Sequence, residues 1–110
     1  MIRVTLAGAT GWVGKPLAQA IQEAEDLALV AAVARRAAGE SLPGDLRISG
    51  SVAEALVTPS DVFVDYTSAA AVRENVLAAI RAGRHVVIGS SGLTQEDFAE
   101  IHDAAVAALA

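Results

Sequence analysis

Three glycines at a fixed spacing, in Gly8-Ala9-Thr10-Gly11-Trp12-Val13-Gly14, stand between an apolar, β-branched run from Ile2 to Ala7 and an amphipathic stretch from Lys15 to Ala24. In that stretch Leu17, Ala18, Ile21 and Ala24 share one helical face. A strand that exits through glycine directly into a helix belongs to few folds. Gly8 permits a tight exit from the strand, Gly11 lets the backbone approach a ligand with no Cβ in the way, and Gly14 lets helix and strand pack closely. The helix N-terminus beyond them presents unpaired N–H groups and a partial positive charge, which suits a pyrophosphate. The same pattern is also compatible with a glycine-rich turn that holds nothing. The strand before it and the helix after it favour dinucleotide binding.

The rest of the chain repeats the alternation. Leu27 to Ala34 is a second buried run. Residues 35–50 carry Gly39, Pro43, Gly44 and Gly50 and read as loop, with a short edge strand at Arg47–Ser49. Ser51-Val52-Ala53-Glu54 has the form of a capping box opening a short helix that Pro59 stops. Asp61 to Tyr66 is a strand, and Ser68 caps a helix that runs to Ala82 with Gly83 as its stop. His85 to Ile88 is a strand, and Thr94-Gln95-Glu96-Asp97 opens a last helix. Strands that read as unbroken apolar runs are covered on both faces, and alternating strands and helices give right-handed crossovers. The expectation is an α/β fold: a Rossmann-like doubly wound parallel sheet in a single domain over residues 1–110, with strand order 3-2-1-4-5. Aromatics are only 4% of 110 residues, so the core is built from Ala, Val, Leu and Ile.

Charge and composition exclude several functions. A net charge of -5 argues against a nucleic-acid partner. With no cysteine there is no disulfide, thiolate metal site or cysteine nucleophile, and no metal site is expected. No apolar run reaches membrane length, and Met1-Ile2-Arg3-Val4 goes straight into a strand pattern, so the expected location is cytoplasmic.

Cofactor choice is read at the end of the second strand, in Val33-Ala34-Arg35-Arg36. About 20 positions after the glycine motif an acid usually binds the ribose 2′-hydroxyl of NAD. Here there is neutral Ala34 and two arginines, whose guanidinium groups suit a 2′-phosphate. The expected cofactor is NADPH, with NADH possible; the other reading of Arg35 and Arg36 is a solvated basic pair. Trp12, the one tryptophan, either packs at the helix start or contributes only its backbone to a pyrophosphate site. Asp65-Tyr66-Thr67-Ser68 and Gly89-Ser90-Ser91-Gly92 end the fourth and fifth strands, at the edge where open α/β sheets bind ligands.

Taken in order, Asp65-Tyr66-Thr67-Ser68, Ala71-Val72-Arg73-Glu74-Asn75, Ala82-Gly83-Arg84-His85 and Val87-Ile88-Gly89-Ser90-Ser91-Gly92 resemble the dihydrodipicolinate reductase family over essentially the whole chain. Gly-Ser-Ser-Gly stands where that family has Gly-Thr-Thr-Gly. The resemblance implies an N-terminal NAD(P)H-binding domain of a 4-hydroxy-tetrahydrodipicolinate reductase of lysine and diaminopimelate biosynthesis. Such an enzyme transfers hydride from NADPH to a cyclic unsaturated dicarboxylate. It implies that Gly8, Ala9, Thr10, Gly11, Trp12 and Val13 wrap the pyrophosphate and that Arg35, beside Ala34 and Arg36, meets the adenosine ribose or its phosphate. Tyr66 and Thr67 then lie beside the nicotinamide, and Gly89, Ser90 and Ser91 reach the nicotinamide ribose and the substrate pocket. Ala34 replaces an acid common in the family. The family's catalytic histidine and lysine, its dicarboxylate loop and its tetramer-forming sheet belong to a C-terminal domain absent from these 110 residues. Neither His85 nor His102 matches that histidine, so no catalytic residue is expected here. The chain alone is expected to turn over little or nothing.

Two other readings share parts of the pattern. A short-chain reductase or epimerase needs Tyr-x-x-x-Lys, and the one tyrosine, Tyr66, is followed at that distance by Ala70. A CoA-binding or redox-sensing Rossmann module has a similar strand order, and its CoA phosphate suits Arg35 and Arg36 equally well.

Overall fold

The computed structural model describes residues 1–109. Strand β1 (Ile2–Ala7) lies inside the sheet, with Val4, Leu6 and Ala7 among the most buried residues of the chain. It is followed by α1 (Gly14–Glu23), β2 (Leu27–Val33), β3 (Ser41–Leu42), β4 (Leu46–Ser49), α2 (Val52–Ala55), β5 (Val62–Asp65), α3 (Val72–Arg81), β6 (His85–Ile88) and α4 (Gln95–Leu109). The six strands run in the order β3-β4-β2-β1-β5-β6. All neighbours are parallel except β3 and β4. The five expected strands therefore stand in the expected order. The addition is β3, a two-residue strand that pairs antiparallel with β4 through Ser41–Arg47 and Leu42–Leu46. It takes the edge position expected for β4, because Gly44 and Asp45 both adopt positive φ and close a tight hairpin. No helix among the described residues is long and apolar enough to cross a membrane.

Alternation along the strands divides the core. Val4, Leu6, Ala32 and Ile48 pack with Ala18 and Ile21 of α1 on one face. Ala7, Ala31, Val33 and Phe63 pack with Val52 and Ala55 of α2 and Ala79 of α3 on the other. Ile101 of α4 joins Val72, Val76, Leu77 and Ile80 of α3 in a third cluster. The expected cover on both faces holds for β1 and β2 beyond their first residues but not for β5 and β6. On the α1 side Ile2, Val62, Val64 and Val87 line an apolar groove, and Val87 is 51% exposed. The reason is placement: α1 crosses β1 and β2, whereas α3 and α4 both lie toward the opposite face.

The local signals act at the helix ends with one exception. The backbone N–H of Glu54 donates to Ser51 Oγ (3.2 Å) at the start of α2, which ends at Ala55, short of Pro59. At α4, Asp97 N–H donates to Thr94 Oγ1 (3.1 Å) and Thr94 N–H donates to Asp97 Oδ2 (3.0 Å), a reciprocal capping box. Gly83, at φ 82°, ends α3 as expected, with its own N–H donating to Ile80 O and that of Arg84 to Ala79 O. The exception is Ser68. It does not cap α3 with its side chain; its carbonyl accepts from Ala71 and Val72, and the helix begins only at Val72. One extra turn, with three small alanines at 69–71, separates the expected cap from the helix.

At the opposite edge of the sheet Arg3 and Asp61 tie β1 to the start of β5. The Arg3 backbone N–H (2.8 Å) and Nε (3.2 Å) donate to Asp61 Oδ2, and Nη2 donates to Oδ1 (3.1 Å). The side-chain hydrogen bond from Arg3 is the main reason the Asp61 carboxyl falls from an ordinary 3.8 to about 2. A lowered folded-state value means that the pair's stabilisation is complete above the unfolded value and is lost as pH falls through about 2. Thermal melts taken from about pH 5 down to about pH 2 should therefore fall more steeply for this chain than for Asp61→Asn, the two curves converging at the acid end. Parallel curves would contradict a stabilising pair.

Candidate functional site

The glycine loop is set by close contact and not by flexibility. Gly8 has φ 85°, and a Cβ there would lie 2.2 Å from the Tyr66 carbonyl oxygen. A Cβ on Gly14 would lie 1.7 Å from the Gly8 carbonyl oxygen. So the exit of β1, the start of α1 and the chain leaving β5 meet backbone to backbone. Gly11 is different. Its nearest neighbour to an added Cβ is the Gly8 carbonyl at 3.5 Å, an ordinary contact, and its φ is not in the left-handed region. The fold itself has no need of glycine at that position. Between these glycines the N–H groups of Thr10, Trp12 and Val13 find no acceptor within the chain among the described residues, and the first turn of α1 carries no acid. Successive free N–H groups at a helix start form a concave donor site for an anion.

Beside that loop a cavity of about 410 Å³ opens at the carboxyl ends of β1, β2 and β5. Gly8 and Thr10, then Ala34, Arg35 and Arg36, and then Thr67 line it, together with Gly50, Ser51, Ser68 and Asn75. Neither Arg35 nor Arg36 pairs with a carboxylate among the described residues, and both are exposed. Cations facing a cavity with no internal partner are available to an anionic ligand.

Of the remaining expected residues, Ala9 is fully buried beneath the loop, and its N–H donates to the Val33 carbonyl (3.1 Å), as does that of Gly8 (2.9 Å). Gly11 and Trp12 lie on an adjoining shallow depression with Lys15 and Pro16, and Val13 is half exposed. Trp12 does not pack at the helix start: its side chain is 100% exposed, because the loop turns it away from the sheet. Tyr66 joins the apolar groove on the α1 side, its ring lying where a Cβ on Gly89 would come within 2.1 Å. Gly89 and Ser90 follow β6, with both N–H groups donating to the Asp65 carbonyl (2.8 and 3.1 Å), and Ser91 is exposed beyond them.

Two residues that sequence reasoning did not select sit between these loops. The buried Asp65 carboxylate accepts from Thr67 Oγ1 (2.7 Å) and Ser90 Oγ (2.6 Å), and Asn75 Nδ2 of α3 reaches its other oxygen (3.2 Å). Both were visible as polar letters, Asp65 ending an apolar strand and Asn75 on a helical face otherwise apolar. Their convergence needs the crossover and is not a spacing in the chain.

A parallel sheet with a glycine loop at its centre, and a cationic cavity at the carboxyl ends of the strands, define a nucleotide-binding α/β domain of the Rossmann type. Comparison with known proteins narrows this. The family described as "Dihydrodipicolinate reductase, N-terminus" matches residues 2–109, and the chain belongs to it. The 4-hydroxy-tetrahydrodipicolinate reductase of Dictyoglomus turgidum is 37% identical over 112 residues, which take in 96% of this chain and 42% of that protein. That of Symbiobacterium thermophilum is 40% identical over 102 residues, covering 83% and 40%. This chain thus spans about two-fifths of the curated relatives it matches. Among solved structures, a dipicolinate-bound dihydrodipicolinate reductase from Paenisporosarcina sp. TG-14 shares the fold with a TM-score of 0.87 at 24% identity, over 98% of this chain and 44% of that one.

The two glycines predict opposite outcomes. Gly14→Ala should destabilise the chain by about 3 kcal/mol or more, because backbone must move, whereas Gly11→Ala should stay within about 1 kcal/mol of the parent. Urea unfolding measures both; equal effects would contradict the contact geometry.

Proposed function

We propose that this chain is the cofactor-binding part of a 4-hydroxy-tetrahydrodipicolinate reductase and holds NADPH in preference to NADH across the cavity. The observation that carries the preference is the pair Arg35 and Arg36, at the cavity beside neutral Ala34 with no carboxylate partner among the described residues, where an NAD-binding domain usually has an acid. An acid there accepts from a ribose 2′-hydroxyl and repels a 2′-phosphate. Two guanidinium groups reverse both effects. The free N–H groups of Thr10, Trp12 and Val13 take the pyrophosphate, and Gly11 supports this reading because the fold leaves room for a side chain that only a ligand would need removed. Thr67 and the Gly89-Ser90-Ser91 loop take the nicotinamide end.

When bound, the cofactor supplies the hydride. The chain's own contribution is placement: donors and cations fix the phosphates, and the loops after β5 and β6 set the position of the nicotinamide ribose. The acceptor is a cyclic unsaturated dicarboxylate. The groups that bind and protonate it, and the sheet that forms a homotetramer, belong on this reading to the further length that the relatives have. The present chain then binds cofactor and turns over little.

Calorimetry with NADPH, NADH and CoA on the parent and on Arg35→Ala tests the proposal. NADPH should bind more tightly than NADH, and Arg35→Ala should weaken NADPH roughly 10- to 100-fold, the worth of a charge-assisted bond to phosphate, with little effect on NADH. Equal NADPH affinity in the two proteins would sink the phosphate clamp, and binding of CoA without NADPH would sink the reductase reading.

A further inference from the structure

Asp65 ends β5 with its side chain fully buried, and no lysine, arginine or histidine lies within ion-pair distance among the described residues. A buried carboxylate without a cation is costly unless hydrogen bonds replace its water. Here four donors replace it. Oδ1 accepts from the Thr67 backbone N–H (3.1 Å), Thr67 Oγ1 (2.7 Å) and Ser90 Oγ (2.6 Å), and Oδ2 accepts from Asn75 Nδ2 (3.2 Å). These donors come from the loop after β5, the loop after β6 and helix α3. One carboxylate therefore joins three segments at the carboxyl edge of the sheet.

An ionised carboxylate only accepts, and a hydroxyl has one proton to give. Thr67 and Ser90 spend theirs on Asp65. Thr67 Oγ1 also receives a longer bond from Asn75 Nδ2 (3.4 Å), which leaves it one acceptor position and no donor. Thr67 lines the cavity. Any ligand group that meets this hydroxyl must bring its own proton.

We infer that Asp65 is a positioning residue that locks the loop after β5 to the loop after β6 and holds the Thr67 hydroxyl as an obligate acceptor, so that a hydrogen-bond donor of the ligand, a sugar hydroxyl or a carboxamide N–H, is placed there. The inference rests on the cofactor reading given above. It assigns the cavity a polarity. Anionic groups go to the free N–H groups and the two arginines, and the donor-bearing nicotinamide nucleoside goes to Thr67. A phosphate or carboxylate at Thr67 would set lone pair against lone pair.

The test compares NADPH with adenosine 2′,5′-bisphosphate, which has the arginine-facing end and lacks the nicotinamide nucleoside. An amide at position 65 has one acceptor oxygen in place of two: with its N–H2 toward the hydroxyls it frees their protons, and with its N–H2 toward Asn75 it sets donor against donor and loosens α3 from the two loops. By calorimetry, Asp65→Asn should weaken NADPH roughly tenfold, about one hydrogen bond to the ligand, and leave the bisphosphate within about twofold. Thr67→Val, which removes the hydroxyl while leaving the carboxylate, should show the same selective loss and carries the test if Asp65→Asn does not fold. Thr67→Ser, which keeps the hydroxyl, should bind NADPH like the parent. Equal losses for both compounds, or no loss for either, would overturn the role of Asp65 while leaving the cofactor reading intact. A parent chain that binds neither compound overturns that reading and the role of Asp65 with it.

Discussion

At the centre of the carboxyl edge, Gly8 is closed in by backbone on both sides. The carbonyl of Tyr66 occupies the place of its Cβ, and its own carbonyl occupies the place of a Cβ on Gly14. Three chain segments can approach this closely only where two of them have no side chain. That approach sets where α1 begins and which way its first N–H groups face. It also brings the end of β5 beside the end of β1, as the 3.0 Å bond from Tyr66 N–H to the Ala7 carbonyl records. The cavity lies on this junction. A side chain at either glycine would push the helix start away from the strand ends and separate the free N–H groups there from the loop that carries Thr67.

Charge is distributed so that the site departs from the molecule around it. The chain as a whole carries -5, yet its cavity presents two arginines with no carboxylate partner among the described residues and the free N–H group of Thr10. The one carboxylate nearby, Asp65, is turned inward and fully engaged by donors. On the surface, Arg73 pairs with Glu100 and Arg3 with Asp61.

Much of this could be read along the chain because the governing constraints are local. The strand–glycine–helix order, the apolar runs and the stop at Gly83 act within a few residues, and the five main strands follow from them in the correct order. What escaped depends on chain segments far apart. Strand β3 has only two residues and no periodicity, and is held by its hairpin. Ser68 has the right chemistry for a cap, but the helix starts a turn later. Trp12 read either as packing material or as a residue giving only its backbone; the packing reading fails because its side chain is fully exposed, and exposure depends on which way a loop turns. The partial cover of β5 and β6 depends on where α4 goes. Arg35, Arg36, Thr10 and Thr67, expected from residue type and position, line one cavity. Asp65 and Asn75 were not expected, because their roles exist only once three segments converge.

On the proposed reading, one ligand lies along the carboxyl edge of the sheet, from the arginines to the loop after β6. A map of backbone amide shifts in the isotopically labelled chain, recorded as NADPH is added, tests that placement most directly. The prediction is a continuous trail of shifted amides at Thr10, Trp12 and Val13, at Ala34, Arg35 and Arg36, and at Thr67 and Ser90, with Asp26, Thr58 and Gly83 at the opposite edge unmoved. Shifts gathered at the opposite edge, or none at saturating NADPH, would contradict it.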